Sequence, residues 1–122
     1  MKLSTQELVE NLSQFIGTER YYRLLPTFVV TDGLKYLMEQ ADCYWLGQLY
    51  GLHLVDVDFN QNPFTVLKFV RKGEGGIVNI EDGNGVVLAR QGLDYTDFPL
   101  AEYGLYACWN GDYWVGMLTS EY

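Results

Sequence analysis

At Pro63 the hydrophobic period of this chain changes, and that change limits the folds open to it. Before it, apolar residues recur at three- and four-residue spacing, as on one face of a helix. After it they alternate in twos, as on a strand. Helical segments followed by a run of strands point to an α+β fold, with the helices packed on an antiparallel sheet. The expected architecture is two to three N-terminal helices on a C-terminal antiparallel sheet of about four to six strands. With 122 residues and no linker, repeat or low-complexity tract, one domain over residues 1–122 is the simplest organisation.

The first helix is the best specified. Ser4 and Glu7 form a capping-box pair, and Leu3 and Leu8 occupy the staple positions around it. Leu8, Leu12, Phe15 and Ile16 continue as an apolar stripe, and Gly17 sits where a C-cap glycine would. The pattern predicts a helix over residues 5–16. Residues 19–30 read as extended or irregular, because Pro26 rules out a continuous helix. Thr31 or Asp32 can cap a second helix with Leu34, Leu37, Met38 and Ala41 on one face. Cys43 to Val55 suits a third, although Gly47 and Gly51 weaken it; they could instead let another backbone pack closely.

Beyond Pro63, Phe64 to Arg71 reads as a strand with apolar residues on both faces, and residues 73–76 as a turn. Ile77–Ile80 and Val86–Ala89 form a hairpin around Asp82-Gly83-Asn84-Gly85. Leu105–Trp109 and Tyr113–Leu118 form another around Asn110-Gly111, a pair suited to a type I′ turn.

The formal net charge of −8 argues against direct binding to a phosphate backbone, which needs clustered Lys and Arg. It fits a solubilising surface, a cationic partner, or mimicry of nucleic acid. No run approaches the length of a membrane span. The opening Met1-Lys2-Leu3-Ser4 carries no signal-peptide core, and two cysteines make no disulfide framework. A reducing cytoplasm, with Cys43 and Cys108 as free thiols, is the expectation.

Thr18-Glu19-Arg20-Tyr21-Tyr22-Arg23, Thr31-Asp32-Gly33-Leu34-Lys35-Tyr36-Leu37 and Cys43-Tyr44-Trp45-Leu46 are distinctive stretches. Together with the closing Leu118-Thr119-Ser120-Glu121-Tyr122, they resemble a family of small bacterial and phage proteins of unknown function. The resemblance spans nearly the whole chain. It implies a small α+β cytoplasmic protein, sometimes carried on mobile elements, and it implies no activity.

Candidate chemistry is sparse. Cys43 and His53, with Asp56 or Asp58 to orient the imidazole, contain the residue types of a nucleophilic site, but their spacing does not bring them together. Asp56, Asp58 and Asn60 open like a calcium loop. Gln61 then stands where that loop needs glycine and Leu67 where it needs a bidentate glutamate. The glycines at 73, 75, 76, 83 and 85 join strand to strand, unlike a phosphate loop. No metal and no cofactor is expected.

Two surfaces remain. Glu19, Arg20, Tyr22 and Arg23, with Asp32, Tyr44 and Trp45 as neighbours, form a candidate ligand or partner site. Its arginines could grip a carboxylate or phosphate, or be paired with Asp32 inside the fold. The last hairpin carries Tyr106, Trp109, Tyr113 and Trp114, with aromatics on both faces of the ribbon. One face can pack under the helices. The other is either a second core or an interface, for a homodimer or a protein partner. The chain therefore reads first as a non-enzymatic accessory or interaction protein acting through its aromatic sheet and acidic charge. The alternative is a small-molecule binder or enzyme using the Arg20, Arg23 and Tyr44 region, with a Cys43 nucleophile behind it.

Overall fold

The computed structural model describes residues 3–122; Met1 and Lys2, part of the opening segment without a signal-peptide core, lie outside them. The order of elements is α1 (Thr5–Leu12), β1 (Tyr21–Leu25), β2 (Phe28–Thr31), α2 (Asp32–Gln40), α3 (Tyr44–Leu54), β3 (Phe64–Lys72), β4 (Gly75–Glu81), β5 (Val87–Leu93), β6 (Glu102–Trp109) and β7 (Trp114–Leu118). A 3-10 turn, Thr119–Glu121, closes the chain. The class is α+β, as the change of period predicts.

Two parts of the expected architecture are corrected. The sheet has seven strands rather than four to six, in the order β1-β2-β7-β6-β3-β4-β5, and β2 lies parallel to β7, so it is mixed rather than antiparallel. The β1–β2 hairpin also comes between the first two helices, so the helices do not precede all the strands. The reason is local. All four residues of β2 are buried, which erases the alternation that marks a half-buried strand. Pro26 and Thr27 form the two-residue turn between Leu25 and Phe28.

The capping box on α1 forms as expected. The Glu7 N–H donates to Ser4 Oγ at 3.1 Å and the Ser4 N–H to Glu7 Oε1 at 3.3 Å. Such a cap is worth about 1 kcal/mol. The helix stops at Leu12 rather than 16. There Ser13 Oγ donates back to the Glu10 carbonyl at 2.7 Å, and the Gln14 and Phe15 amides tighten onto carbonyls three residues earlier. Phe15 still reaches the core margin against the Tyr36 ring, whereas Ile16 is exposed. In α2, Thr31 is the cap, its hydroxyl accepting the Leu34 N–H at 3.3 Å.

The glycines of α3 admit side chains, not the second backbone expected of them. A methyl at Gly47 would meet Met38 Sδ at 2.5 Å, and one at Gly51 would meet Leu25 and Phe28 at 2.7 and 2.8 Å. On its next face, Tyr50 is fully buried and its hydroxyl lies 2.9 Å from Thr65 Oγ1 of β3. Farther round, His53 Nε2 lies 2.8 Å from Gln91 Oε1 of β5. Thus α3 touches β1, β3 and β5 in turn, and the sheet curls around it.

Helices cover one sheet face, where Phe28, Val30, Leu67, Phe69, Val78, Ile80, Leu105 and Trp114 form the main core. The opposite face carries a smaller cluster: Val29, Val115 and Met117, with Tyr106, Cys108 and Tyr113 packed against them. Both hairpins predicted beyond Pro63 form. The Asn110-Gly111 turn is not type I′, because four residues separate the paired Trp109 and Trp114. Gly111 takes a φ of 105°, while Asn110 uses its Oδ1 to accept the Asp112 and Tyr113 amides at 3.0 and 2.9 Å.

Candidate functional site

Asp32 opens α2, and the residues around it are held by their own short bonds. Its carboxylate accepts the Glu19 N–H at 2.9 Å and the Tyr22 hydroxyl at 3.0 Å. Thr18 Oγ1 accepts the Asp32 N–H at 2.9 Å and donates to the Arg20 carbonyl at 2.6 Å. The Glu19 N–H, first among these donors, holds the Asp32 carboxyl below its ordinary range. Its bond with the phenol pushes Tyr22 upward. The Lys35 ammonium sits 4.7 Å from the Tyr22 ring centre.

The structure therefore brings Glu19, Tyr22 and Asp32 together, but neither arginine pairs with Asp32. Tyr22 and Arg23 are successive strand residues and face opposite ways. Arg23 lies on the open sheet face, where it donates to the Pro26 carbonyl and sits 5.6 Å from the Tyr113 ring centre. Neither ion pair among the described residues involves Arg20 or Arg23. Arg20 is exposed just before β1. Tyr44 and Trp45 start α3, and Trp45 meets Phe98 edge-on at 6.5 Å, toward β5 at the other sheet edge.

Cys43 and His53 stand at opposite ends of α3, about 15 Å apart by helical rise. Burial pushes the Cys43 thiol up to about 12, the reverse of what a thiolate nucleophile needs. Asp58 Oδ1 accepts the Asn60 N–H at 3.0 Å, so the calcium-like stretch is a local turn.

The aromatic ribbon divides by alternation. Trp114 is buried under the helices, and Trp109 packs on it at 5.6 Å and stacks on Phe59 at 4.0 Å. Tyr106 and Tyr113 lie on the open face and cover Val29, Val115 and Met117, each at most 9% exposed. Phe64, Tyr106 and Tyr122 gather beside them at ring separations of 5.0 to 5.5 Å.

Apolar exposure concentrates elsewhere. The curled sheet leaves one strip of α3 uncovered: Tyr44, Gln48, Leu52 and Val55, at i, i+4, i+8 and i+11. Leu52 is 61% and Val55 66% exposed. Strand β5, which pairs only with β4, borders this strip. Three hollows of about 240, 340 and 280 Å³ follow one another along β5 beside Leu93, Gln91 and Ala89. The middle one is walled by Trp45, Leu49 and Leu52. Asp97 lines one end, Asp56 and Asp58 the other. Arg90 pairs across to Asn79 and so points to the opposite sheet face.

Sequence reasoning missed this groove, since strand order alone makes β5 an edge. One signal was present: apolar residues fall on every side of α3, with Gln48 and His53 as its polar side chains, and that distribution calls for cover all round.

Residues 6–122 match a family of unknown function, DUF6876. The chain belongs to this family. No curated protein and no solved structure matches it. Membership in DUF6876 covers the elements that build the groove and assigns it no activity.

Proposed function

We propose that this DUF6876 member is a cytoplasmic interaction protein that binds another protein chain at the groove between β5 and α3. The observation behind it is the exposure of Leu52, Val55 and Leu88, at 61, 66 and 36%, beside an unpaired strand edge. Covering such surface contributes about 25 cal/mol per Å² of apolar area removed from water. The two sheet edges differ in their protection. Both edges carry a register break, between Arg23 and Leu25 in β1 and between Val87 and Ala89 in β5, but β1 is also followed by Pro26, which discourages pairing. β5 has no proline, and its one charged side chain, Arg90, faces away from α3.

Tyr106 and Tyr113 on the open face, together with the acidic surface, are further contact candidates in this reading. A second copy at the β5 edge is its homodimeric form, and a charge of −8 on each chain opposes it. Free thiols at Cys43 and Cys108 support a reducing compartment. Small-molecule chemistry around Arg20, Arg23 and Tyr44 has less support, because those side chains lie on different parts of the fold.

A photo-crosslinking side chain replacing Leu52, with one replacing the exposed Ile16 as control, tests the proposal in the native cell. The expected result is an adduct to one protein at position 52, mapped by mass spectrometry to one segment. Purified protein should then bind that segment, and Leu52→Glu should abolish binding. The same adducts at both positions, or none at position 52, would refute the proposal.

A further inference from the structure

We infer that the groove takes an extended peptide as an eighth strand, carrying an apolar residue with a basic residue two positions to either side. This rests on the interaction reading above and specifies its partner.

The shape of the opening calls for a strand. The sheet curls around α3 from β1 to β5 and stops with one helix strip uncovered. A chain laid against β5 would continue the curl and cover Leu52 and Val55. Its backbone would find the outward N–H and C=O groups that β5 leaves unpaired as the edge of the sheet.

The side-chain pattern follows from the pleat. Ala89, Gln91 and Leu93 pair with Ile80, Val78 and Gly76, so all three face α3. The hollows beside them follow at two-residue steps of about 6.8 Å. An added strand presents alternate side chains to that face at the same interval. The central hollow has the apolar walls of Trp45, Leu49 and Leu52, which suit a leucine or valine. The terminal hollows have Asp97 at one end and Asp56 and Asp58 at the other, and among the described residues no Lys or Arg lines either, which suits two cations. The same charges disfavour a second copy of this acidic chain.

The probe is the acetylated, amidated peptide Thr-Lys-Thr-Leu-Thr-Lys-Thr, which reads the same in both strand directions. Titrated into isotope-labelled protein, it should shift the amides of β5 and α3 and slow exchange of β5 amides. Its counterpart with Glu in place of both Lys should bind about tenfold more weakly, the combined effect expected of two exposed charge pairs. The double variant Asp56→Lys, Asp97→Lys should reverse that preference; all its changes are at exposed positions, and its amide spectrum reports whether it folds.

Equal binding of the two peptides, shifts confined to other surfaces, or no shift at millimolar peptide would overturn the inference. If the peptide fails while position 52 still crosslinks to one partner segment, strand addition falls and the interaction reading stands. A dimer in sedimentation that Leu52→Glu dissociates would assign the edge to a second copy and overturn the foreign peptide.

Discussion

Thr31 and Glu121, 90 residues apart, meet at 2.5 Å, the hydroxyl of one donating to the carboxylate of the other. The same carboxylate accepts the Gly33 N–H at 3.1 Å and the Leu118 N–H at 3.0 Å. It thus satisfies an orphan amide of α2 while fixing the closing turn on the end of β7. Glu121→Ala should destabilise the protein by about 1–3 kcal/mol, because it leaves these part-buried donors without an acceptor. Urea unfolding with an unchanged slope is the measurement. A change under about 0.5 kcal/mol would show that water replaces the carboxylate.

Gly47 and Gly51 should respond differently to alanine. Each substitution gains about 1 kcal/mol of helix propensity. At Gly47 the new methyl meets the ends of Met38 and Leu24, which can swing aside. At Gly51 it meets the Phe28 ring, which is fully buried. Overpacking there costs about 1–3 kcal/mol. Thermal melts should show Gly51→Ala less stable than the parent and Gly47→Ala within about 1 kcal/mol of it. Equal melting of both variants would contradict the packing described for α3.

The Asp32–Tyr22 pair links stability to pH at both ends of the scale. The folded Asp32 carboxyl titrates below its ordinary value of 3.8, chiefly because it accepts the Glu19 N–H. Its stabilisation is therefore present above that value and lost as pH falls through the folded value. The folded Tyr22 phenol titrates above 10.0, chiefly because it donates to Asp32. Its stabilisation is present below 10.0 and lost as pH rises through the folded value. Asp32→Asn should flatten the acid limb of unfolding midpoint against pH, and Tyr22→Phe the alkaline limb. Variant curves parallel to the parent's over both limbs would dissociate the pair from stability.

Cys43 should be inert in the native protein. Its folded pKa of about 12 leaves almost no thiolate at pH 8, and the side chain is fully buried. A maleimide added at pH 8 should modify Cys43 only as fast as the protein unfolds, while the half-buried Cys108 reacts first. Rapid native-state labelling of Cys43 would reopen the nucleophilic reading.

The legible parts of the fold are those whose signals are local. The Ser4–Glu7 box, the Thr31 cap and the alternation from Phe64 onward each lie within a few residues of what they specify. β2 was hidden because it is covered on both faces, and its parallel pairing with β7 depends on residues far along the chain. The site was less legible still. Arg20, Arg23 and Tyr44 cluster in sequence, but strand alternation and helix placement separate them. Leu52 looks like any other apolar residue of α3, and only the end of the sheet's curl makes it a surface residue.

The β2–β7 seam also sets a timetable. During synthesis Phe28, Val29 and Val30 emerge long before Trp114, Val115 and Gly116, the residues they pair with. At roughly 5–20 residues per second the gap is on the order of ten seconds. Throughout that interval the nascent chain holds a short strand with three successive apolar residues and one flank unpaired. Chaperone engagement is therefore expected on residues 28–30, and it should end when the last strand clears the ribosome.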